Sequence, residues 1–87
     1  MAIRIPLGYI QITSLSSVVG LTSQEGQRAL IQVEDQAVRW RDDGTDPTTT
    51  VGMRIATGGE LDYDGDLLKI KFIEEAASAK LNVSYYD

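Results

Sequence analysis

Two residue types that small proteins often rely on are missing from this chain of 87 residues. Without cysteine, it has neither disulfide bonds nor thiolate metal ligands to support its core. Without histidine, it lacks the commonest general base and the commonest ligand of transition metals. A catalytic site in this sequence would have to use carboxylates, hydroxyls, amines or phenols.

Positive charge is also scarce, with eight lysine and arginine residues against 13 acidic residues and a net charge of −5. Because these cations are spread along the chain and phosphate neutralisation requires a cluster of them, nucleic acid is not expected as a partner. No apolar run approaches the roughly 20 residues that span a bilayer, and no cationic segment leads into an apolar stretch at the N-terminus. We therefore expect a soluble product made in the cytoplasm, with no membrane partner.

The remaining composition is that of a globular domain, with 43 % hydrophobic and 24 % charged residues. A chain of this length forms one domain and buries only about 60 % of its unfolded surface. Its core is therefore small. A partner that binds only the folded form would add to its stability.

Apolar and polar residues alternate through much of the chain with the period of two that half-buried strands show. Turn signals such as Gly58-Gly59 and Asp64-Gly65 separate the alternating segments at intervals of roughly 8 to 12 residues. We predict an all-β protein, a small antiparallel β-sandwich or barrel that is jelly-roll-like, with at most one short helical turn at residues 74–79. The residues predicted to face inward are Ile10, Ile12, Ala29, Ile31, Val33, Val38, Trp40, Val51, Met53, Ile55, Leu61, Tyr63, Leu68, Ile70, Phe72, Leu81, Val83 and Tyr85.

The predicted strands of this single domain are more regular in the second part of the chain than in the first. Residues 1–28 are interpreted as an N-terminal arm, a first strand and a long loop, and residues 29–87 as the sandwich body. One connection stays open: Asp35-Gln36 interrupts an alternating run. This dipeptide is either the tight turn of a hairpin or a bulge in one long strand.

Acidic residues cluster at Asp62, Asp64 and Asp66, at the alternate positions that begin a calcium-binding loop. The helix–loop–helix calcium motif also requires glycine at its sixth position and glutamate at its twelfth, and here these are Leu67 and Ile73. The motif therefore fails, and the cluster is interpreted as a strand end that runs into an Asp-Gly turn. Whether a cation binds there stays open.

A second acidic group, Asp42, Asp43 and Asp46, follows Arg39 and Arg41. Two of these carboxyls would form the acid and base of a glycosidase only if a cleft held them and burial raised the pKa of one of them. The pattern indicates neither, and we predict no enzyme and no cofactor. The expected role is structural: the arginines pair with the loop acids, and the aspartates cap the turn.

Trp40 allows two interpretations. An exposed indole between Arg39 and Arg41 is typical of a platform for a sugar or a base. Trp40 also shares its predicted face with Val38, which favours core packing. Of the adjacent Tyr85 and Tyr86, one is expected inside and one available for a contact, because neighbours in a strand point to opposite faces.

A set of residues in the second part of the chain forms a recognisable pattern. It consists of 38–45 (Val-Arg-Trp-Arg-Asp-Asp-Gly-Thr), Pro47-Thr48, Val51-Gly52-Met53, Tyr63, Gly65-Asp66-Leu67, Ile70, Phe72-Ile73 and 79–86. In these residues the chain resembles a group of small all-β structural proteins encoded among the virion genes of tailed bacteriophages and prophages. The resemblance covers about two thirds of the chain. It implies a component of the particle with no catalytic residues, such as a capsid decoration or cement protein or a part of the head–tail region.

The resemblance favours a decoration protein that binds the major capsid protein and other virion proteins, as a homo-oligomer such as a trimer. A receptor- or carbohydrate-binding module on the tail or head surface is the alternative. The apolar arm and the loop around residues 18–21 are expected to be exposed and to be covered by neighbouring chains. The residues predicted to contact partners are Ile3, Ile5, Leu7, Val18, Val19, Leu21, Arg39, Arg41 and Tyr86.

Overall fold

A computed structural model of the chain describes residues 5–21 and 27–87. Within these ranges all regular elements are strands, and no helix is long and apolar enough to cross a membrane. Ile3 lies outside the described residues. The strands are β1 (Pro6–Ile12), β2 (Val19–Gly20), β3 (Arg28–Glu34), β4 (Val38–Arg41), β5 (Met53–Ile55), β6 (Glu60–Tyr63), β7 (Lys71–Glu74) and β8 (Lys80–Tyr86).

The strands form two antiparallel sheets of four. The first sheet has the order β1-β8-β3-β6 and the second the order β2-β7-β4-β5. Strand β1 therefore pairs with β8, β2 with β7, β3 with β6 and β4 with β5, each antiparallel. This nested pairing of eight strands in two sheets is the winding of a jelly roll. The predicted all-β, jelly-roll-like sandwich is confirmed.

The core lies between the two sheets, and most of it comes from the strands with the strictest alternation. In β8, the buried residues Leu81, Val83 and Tyr85 alternate with half-buried ones. Each aliphatic side chain that is fully buried contributes roughly 1.5–3 kcal/mol through removal of apolar area from water. The core residues are Leu15, Leu21, Ala29, Ile31, Val33, Val38, Ile55, Tyr63, Leu67, Ile70, Phe72, Ala79, Leu81, Val83 and Tyr85.

The connection at Asp35-Gln36 is neither a hairpin nor a bulge, so both sequence interpretations are wrong. Strand β3 belongs to the first sheet and β4 to the second, and the three residues between them carry the chain from one sheet to the other. Asp35 turns the backbone with a φ of 72°, in the left-handed region that aspartate tolerates. Both flanking strands keep their own alternation, which is why the sequence resembles one interrupted strand.

Strand β1 begins at Pro6. It is an edge strand of the first sheet, the kind of strand in which proline, which has no N–H to donate, is tolerated. The register with β8 shifts between Pro6 and Gly8, which places Leu7 in a bulge.

The loop before residue 28 contributes to the core, which the sequence did not predict. Leu15 is 1 % exposed and Leu21 8 %, and the two residues of β2 pair with β7. The expectation that Leu21 is exposed for a partner is therefore wrong. Val18 and Val19 are half-buried, and Val19 packs against the core.

Two predicted inward positions in residues 48–55 point to solvent instead. Val51 is 52 % exposed and Met53 61 %, whereas Ile55 is buried. Strand β5 has only three residues, and Val51 belongs to the preceding turn, where its N–H bonds the Thr48 side chain at 3.0 Å. The alternation therefore does not extend back from Ile55 as far as predicted.

Leu68 was also predicted to be inside, but it is 59 % exposed and Leu67 is buried in its place. The carboxylate of Asp66 accepts the N–H of Leu68 at 2.9 Å, which forms a turn before β7 begins at Lys71. In this turn, the alternation of residues along the chain no longer indicates which side chains are buried. Within the predicted helical segment 74–79, Glu74 ends β7 and residues 75–78 form a turn rather than a helix, with Ser78 at a φ of 78°.

Candidate binding surface around Trp40

A depression with a volume of about 610 Å³ lies beside the end of β4. We call it the Trp40 hollow. Its volume is within the range of about 300–1,000 Å³ that is usual for ligand pockets. It combines apolar side chains with charged ones, and its lining residues are Trp40, Arg41, Asp42, Asp43, Val51, Gly52 and Met53.

Trp40 is part of both the core and the hollow. It is half-buried and packs against the core cluster, and its ring meets the ring of Tyr63 edge-on, with centroids 5.9 Å apart and planes at 70°. Such edge-to-face pairs stabilise aromatic rings beyond their area burial. The part that remains exposed lines the hollow. The core interpretation therefore describes part of this side chain, and the platform for a sugar or a base stays a prediction.

Tyr63 also holds Asp42 in place. Its hydroxyl donates a hydrogen bond of 2.8 Å to Oδ2 of Asp42. Burial, followed by this carboxylate, raises the pKa of Tyr63 well above its usual value near 10, so the phenol stays protonated. Gly65 leaves room for the hydroxyl, because a Cβ at that position would lie 2.4 Å from it.

Arg41 and Asp43 neutralise each other at the hollow. Nε of Arg41 donates to Oδ1 of Asp43 at 3.0 Å, and Nη2 lies 2.5 Å from Oδ2. The bond to Arg41 holds the pKa of the Asp43 carboxyl below its usual value. Asp42 makes no ion pair with any residue in 5–21 or 27–87. The hollow therefore carries one acidic charge that is not balanced by a described cation.

Arg39 was predicted to pair with the loop acids, and this is wrong. It alternates with Trp40 along β4 and bonds elsewhere: Nε lies 2.9 Å from Oε2 of Glu75, and Nη1 donates to the carbonyl of Gly52 at 3.0 Å. Arg54 donates to the same glutamate at 3.0 Å. For Arg41 the predicted pairing with a loop acid, Asp43, is confirmed.

The other predicted contact residues lie in other parts of the fold. Ile5 is 57 % exposed and Leu7 37 %, at the β1 edge of the first sheet. Tyr86 is half-buried opposite Pro6 and Arg28, while Tyr85 is buried, so the predicted split of the tyrosine pair is confirmed. The structure does not bring these residues together with Arg41 in one site.

The sequence did not identify the polar network on the outer face of the first sheet. Oδ1 of Asn82 accepts bonds from the hydroxyl of Tyr9 at 2.6 Å and from Nε2 of Gln11 at 3.0 Å. Its Nδ2 donates to Gln32 at 3.4 Å and to Glu34. A depression of about 230 Å³ lies on this face, lined by Tyr9, Leu30, Gln32, Glu60, Asn82 and Ser84.

In the described ranges, no three or more acidic side chains come together as a possible metal site. Among the acids of residues 62–66, Asp66 is engaged in the turn before β7. Comparison of the chain with models of protein families, with curated proteins and with solved structures found no match in any of the three. The Trp40 hollow thus combines a fixed aromatic ring, an apolar rim and one carboxylate that no described cation balances.

Proposed function

We propose that this chain is a non-enzymatic structural protein of a bacteriophage virion, and that it decorates the capsid by binding the major capsid protein. The observation that carries the proposal is the apolar rim of the Trp40 hollow. Val51 and Met53 are each more than half exposed and stand beside a partly exposed indole. Exposed apolar residues grouped in this way are typical of protein interaction sites.

The position of the hollow supports the same role. All seven of its lining residues fall within two segments, 38–45 and 51–53, that carry the resemblance to phage virion proteins. Jelly rolls are also the fold of many viral capsid domains, although the same fold occurs in lectins and other proteins. The fold is therefore compatible with the proposal. The hollow is the surface that we propose for binding the partner.

The edge of the first sheet supports association of the protein with its own copies. Leu7 and Tyr9 in β1 and Ile5 just before it are exposed, and the outer side of β1 has no neighbouring strand among the described residues. Edge strands with exposed apolar side chains readily add a further strand. We expect a homo-oligomer, such as a trimer, that uses this edge while the Trp40 hollow contacts the capsid.

Capsid binding can be tested with capsids assembled from the major capsid protein of the same virion. We expect the purified chain to sediment with them, and Met53→Asp to weaken binding at least tenfold because it places a charge in the apolar rim. Leu68→Asp is the matched control, since Leu68 is equally exposed but does not line the hollow. Equal loss in both variants, or no binding by the unmodified chain, would contradict the proposal.

A carbohydrate-binding module on the head or tail surface is the second candidate, and the Asn82 network favours it. Planar amide groups held by mutual hydrogen bonds, beside a tyrosine that is 60 % exposed, suit the hydroxyls and ring face of a sugar. A glycan-array screen would detect such binding, and Tyr9→Ala together with Asn82→Ala should abolish it. A map of the particle that places the chain in the head–tail region would contradict both candidates.

A further inference from the structure

The Trp40 hollow has an electrostatic preference that its apolar rim alone does not explain. The opposite charges of Arg41 and Asp43 cancel, whereas no described cation balances the carboxylate of Asp42. The chain as a whole carries a net charge of −5. A ligand that enters the hollow therefore gains if it brings a positive charge.

The apolar side chains of the hollow limit which cation fits. Trp40 presents an indole, the aromatic system that attracts a cation over its face most strongly. Val51 and Met53 provide exposed aliphatic surface beside it. Lysine and arginine match this combination, because each has an aliphatic stem that packs on apolar surface and a charged end that seeks a carboxylate.

The two groups that would receive such a side chain are held by one residue. Tyr63 contacts the ring of Trp40 edge-on and donates its hydroxyl to Asp42. The indole and the carboxylate are thus oriented before a partner arrives. Less conformational freedom is lost on binding when a site is organised in advance.

We propose that the Trp40 hollow is the docking site for a basic side chain, lysine or arginine, of the partner protein. The aliphatic stem lies against Trp40, Val51 and Met53, and the cationic group bonds the carboxylate of Asp42. This inference rests on the proposed function, since it names the chemistry by which the hollow engages its partner.

The test uses blocked amino acids as probes and the indole N–H signal of Trp40 in NMR spectra as the readout. N-acetyl-lysine amide and N-acetyl-arginine amide should shift this signal saturably. N-acetyl-norleucine amide, which has an aliphatic stem without the charge, should bind at least fivefold more weakly. Asp42→Asn should reduce the affinity for the cationic probes at least tenfold, and it retains an oxygen that accepts the Tyr63 hydrogen bond.

Asp46→Asn is the control, because Asp46 is an exposed acid of the same loop that does not line the hollow. It should bind the cationic probes like the unmodified chain. Equal binding of norleucine and lysine probes, unchanged affinity in Asp42→Asn, or a response only to oligosaccharides would overturn the inference, as would no response to any probe.

These results can be separated from those on capsid binding. The titration contains no capsid protein, so a failure of the decoration role leaves its outcome unchanged. Conversely, if Asp42→Asn binds capsids as tightly as the unmodified chain while Met53→Asp does not, the decoration role stands and the basic-side-chain docking is wrong.

Discussion

The hydroxyl of Tyr63 donates a hydrogen bond to Oδ2 of Asp42 across 2.8 Å. Tyr63 ends β6 in the first sheet, and Asp42 directly follows β4 in the second, so this bond joins the two sheets at one end of the sandwich. The same tyrosine ring supports Trp40. A side chain of the first sheet therefore shapes the Trp40 hollow, which lies beside β4 of the second sheet.

Tyr63→Phe should keep the ring contact with Trp40 and remove only the hydroxyl. We expect a loss of about 1 kcal/mol in the free energy of unfolding, since an intramolecular hydrogen bond contributes roughly that amount net. Urea denaturation monitored by Trp40 fluorescence would measure it. A variant as stable as the unmodified chain would show that the bond to Asp42 does not stabilise the fold.

The raised pKa of Tyr63 predicts an alkaline limit to stability. Below pH 10 the phenol is protonated in both the folded and the unfolded chain, and its contribution is complete. Above pH 10 the unfolded chain loses this proton first, so stability falls as the pH rises toward the higher pKa of the folded state. Unfolding midpoints between pH 8 and about 11 should fall more steeply for the unmodified chain than for Tyr63→Phe. Parallel curves would contradict this.

Two leucines should respond very differently to truncation. Leu81 is 0 % exposed in β8, and Leu81→Ala should destabilise the fold by roughly 2–5 kcal/mol through lost apolar burial and a cavity. Leu68 is 59 % exposed, and Leu68→Ala should change stability by about 0.5 kcal/mol or less. Urea unfolding of both variants compares them directly. Similar losses in the two would mean that Leu68 is buried, as its sequence pattern had predicted.

Gly52 should not tolerate a side chain. Its φ of 139° disfavours other residues, and a Cβ would lie 3.1 Å from the carbonyl oxygen of Trp40 and 3.2 Å from Cβ of Pro47. Gly52→Ala should destabilise the fold by roughly 1–3 kcal/mol and alter the Trp40 hollow. Gly8→Ala is the control, because a Cβ there meets nothing within 4 Å. Thermal unfolding of both variants tests the difference, and an undisturbed Gly52→Ala would refute it.

The carboxylate of Glu75 should stabilise the fold near neutral pH and lose this effect at acidic pH. The hydrogen bond from Arg54, together with the charge of Arg39, holds the pKa of Glu75 below its ordinary value of 4.5. The unfolded chain therefore takes up this proton first as the pH falls, and the contribution is lost below about pH 4.5. The stability difference between the unmodified chain and Glu75→Gln should shrink between pH 6 and about 3 in unfolding measurements. A difference that stays constant would show that Glu75 acts without its charge.

Alternation predicted the strands that are regular and long enough for several inward residues. In β3 and β8 the expected residues are all buried, including Ile31, Val33 and Val83. It failed at Val51 and Leu68, which lie in turns that precede short strands. Alternate residues point to opposite faces of a sheet only while the backbone is extended. At these two positions, backbone N–H groups donate to the side chains of Thr48 and Asp66, and the resulting turns interrupt the extended backbone. The run of threonines before Val51 and the Asp-Gly turn before Leu68 are the local signals that mark these limits.

The candidate site was predicted in part. The charged residues around Trp40 and in the turn after β4 identified Trp40 and Arg41 as candidates, and both line the hollow. The exposed rim at Val51 and Met53 was missed because the same alternation placed these residues inside. The role of Tyr63 was missed because it is 21 residues from Asp42 in the chain, and no local pattern links the two.

The amino-acid sequence by itself determined that the chain is all-β and which side chains are apolar enough to form its core, because a period of two is a property of neighbouring residues. Tertiary structure alone decided that β1 pairs with β8, that the chain crosses from one sheet to the other at Asp35, and that Asp42 accepts a hydrogen bond from Tyr63. These relationships join residues distant in the chain. They depend on how the whole set of strands buries its apolar faces together, and no single segment encodes that.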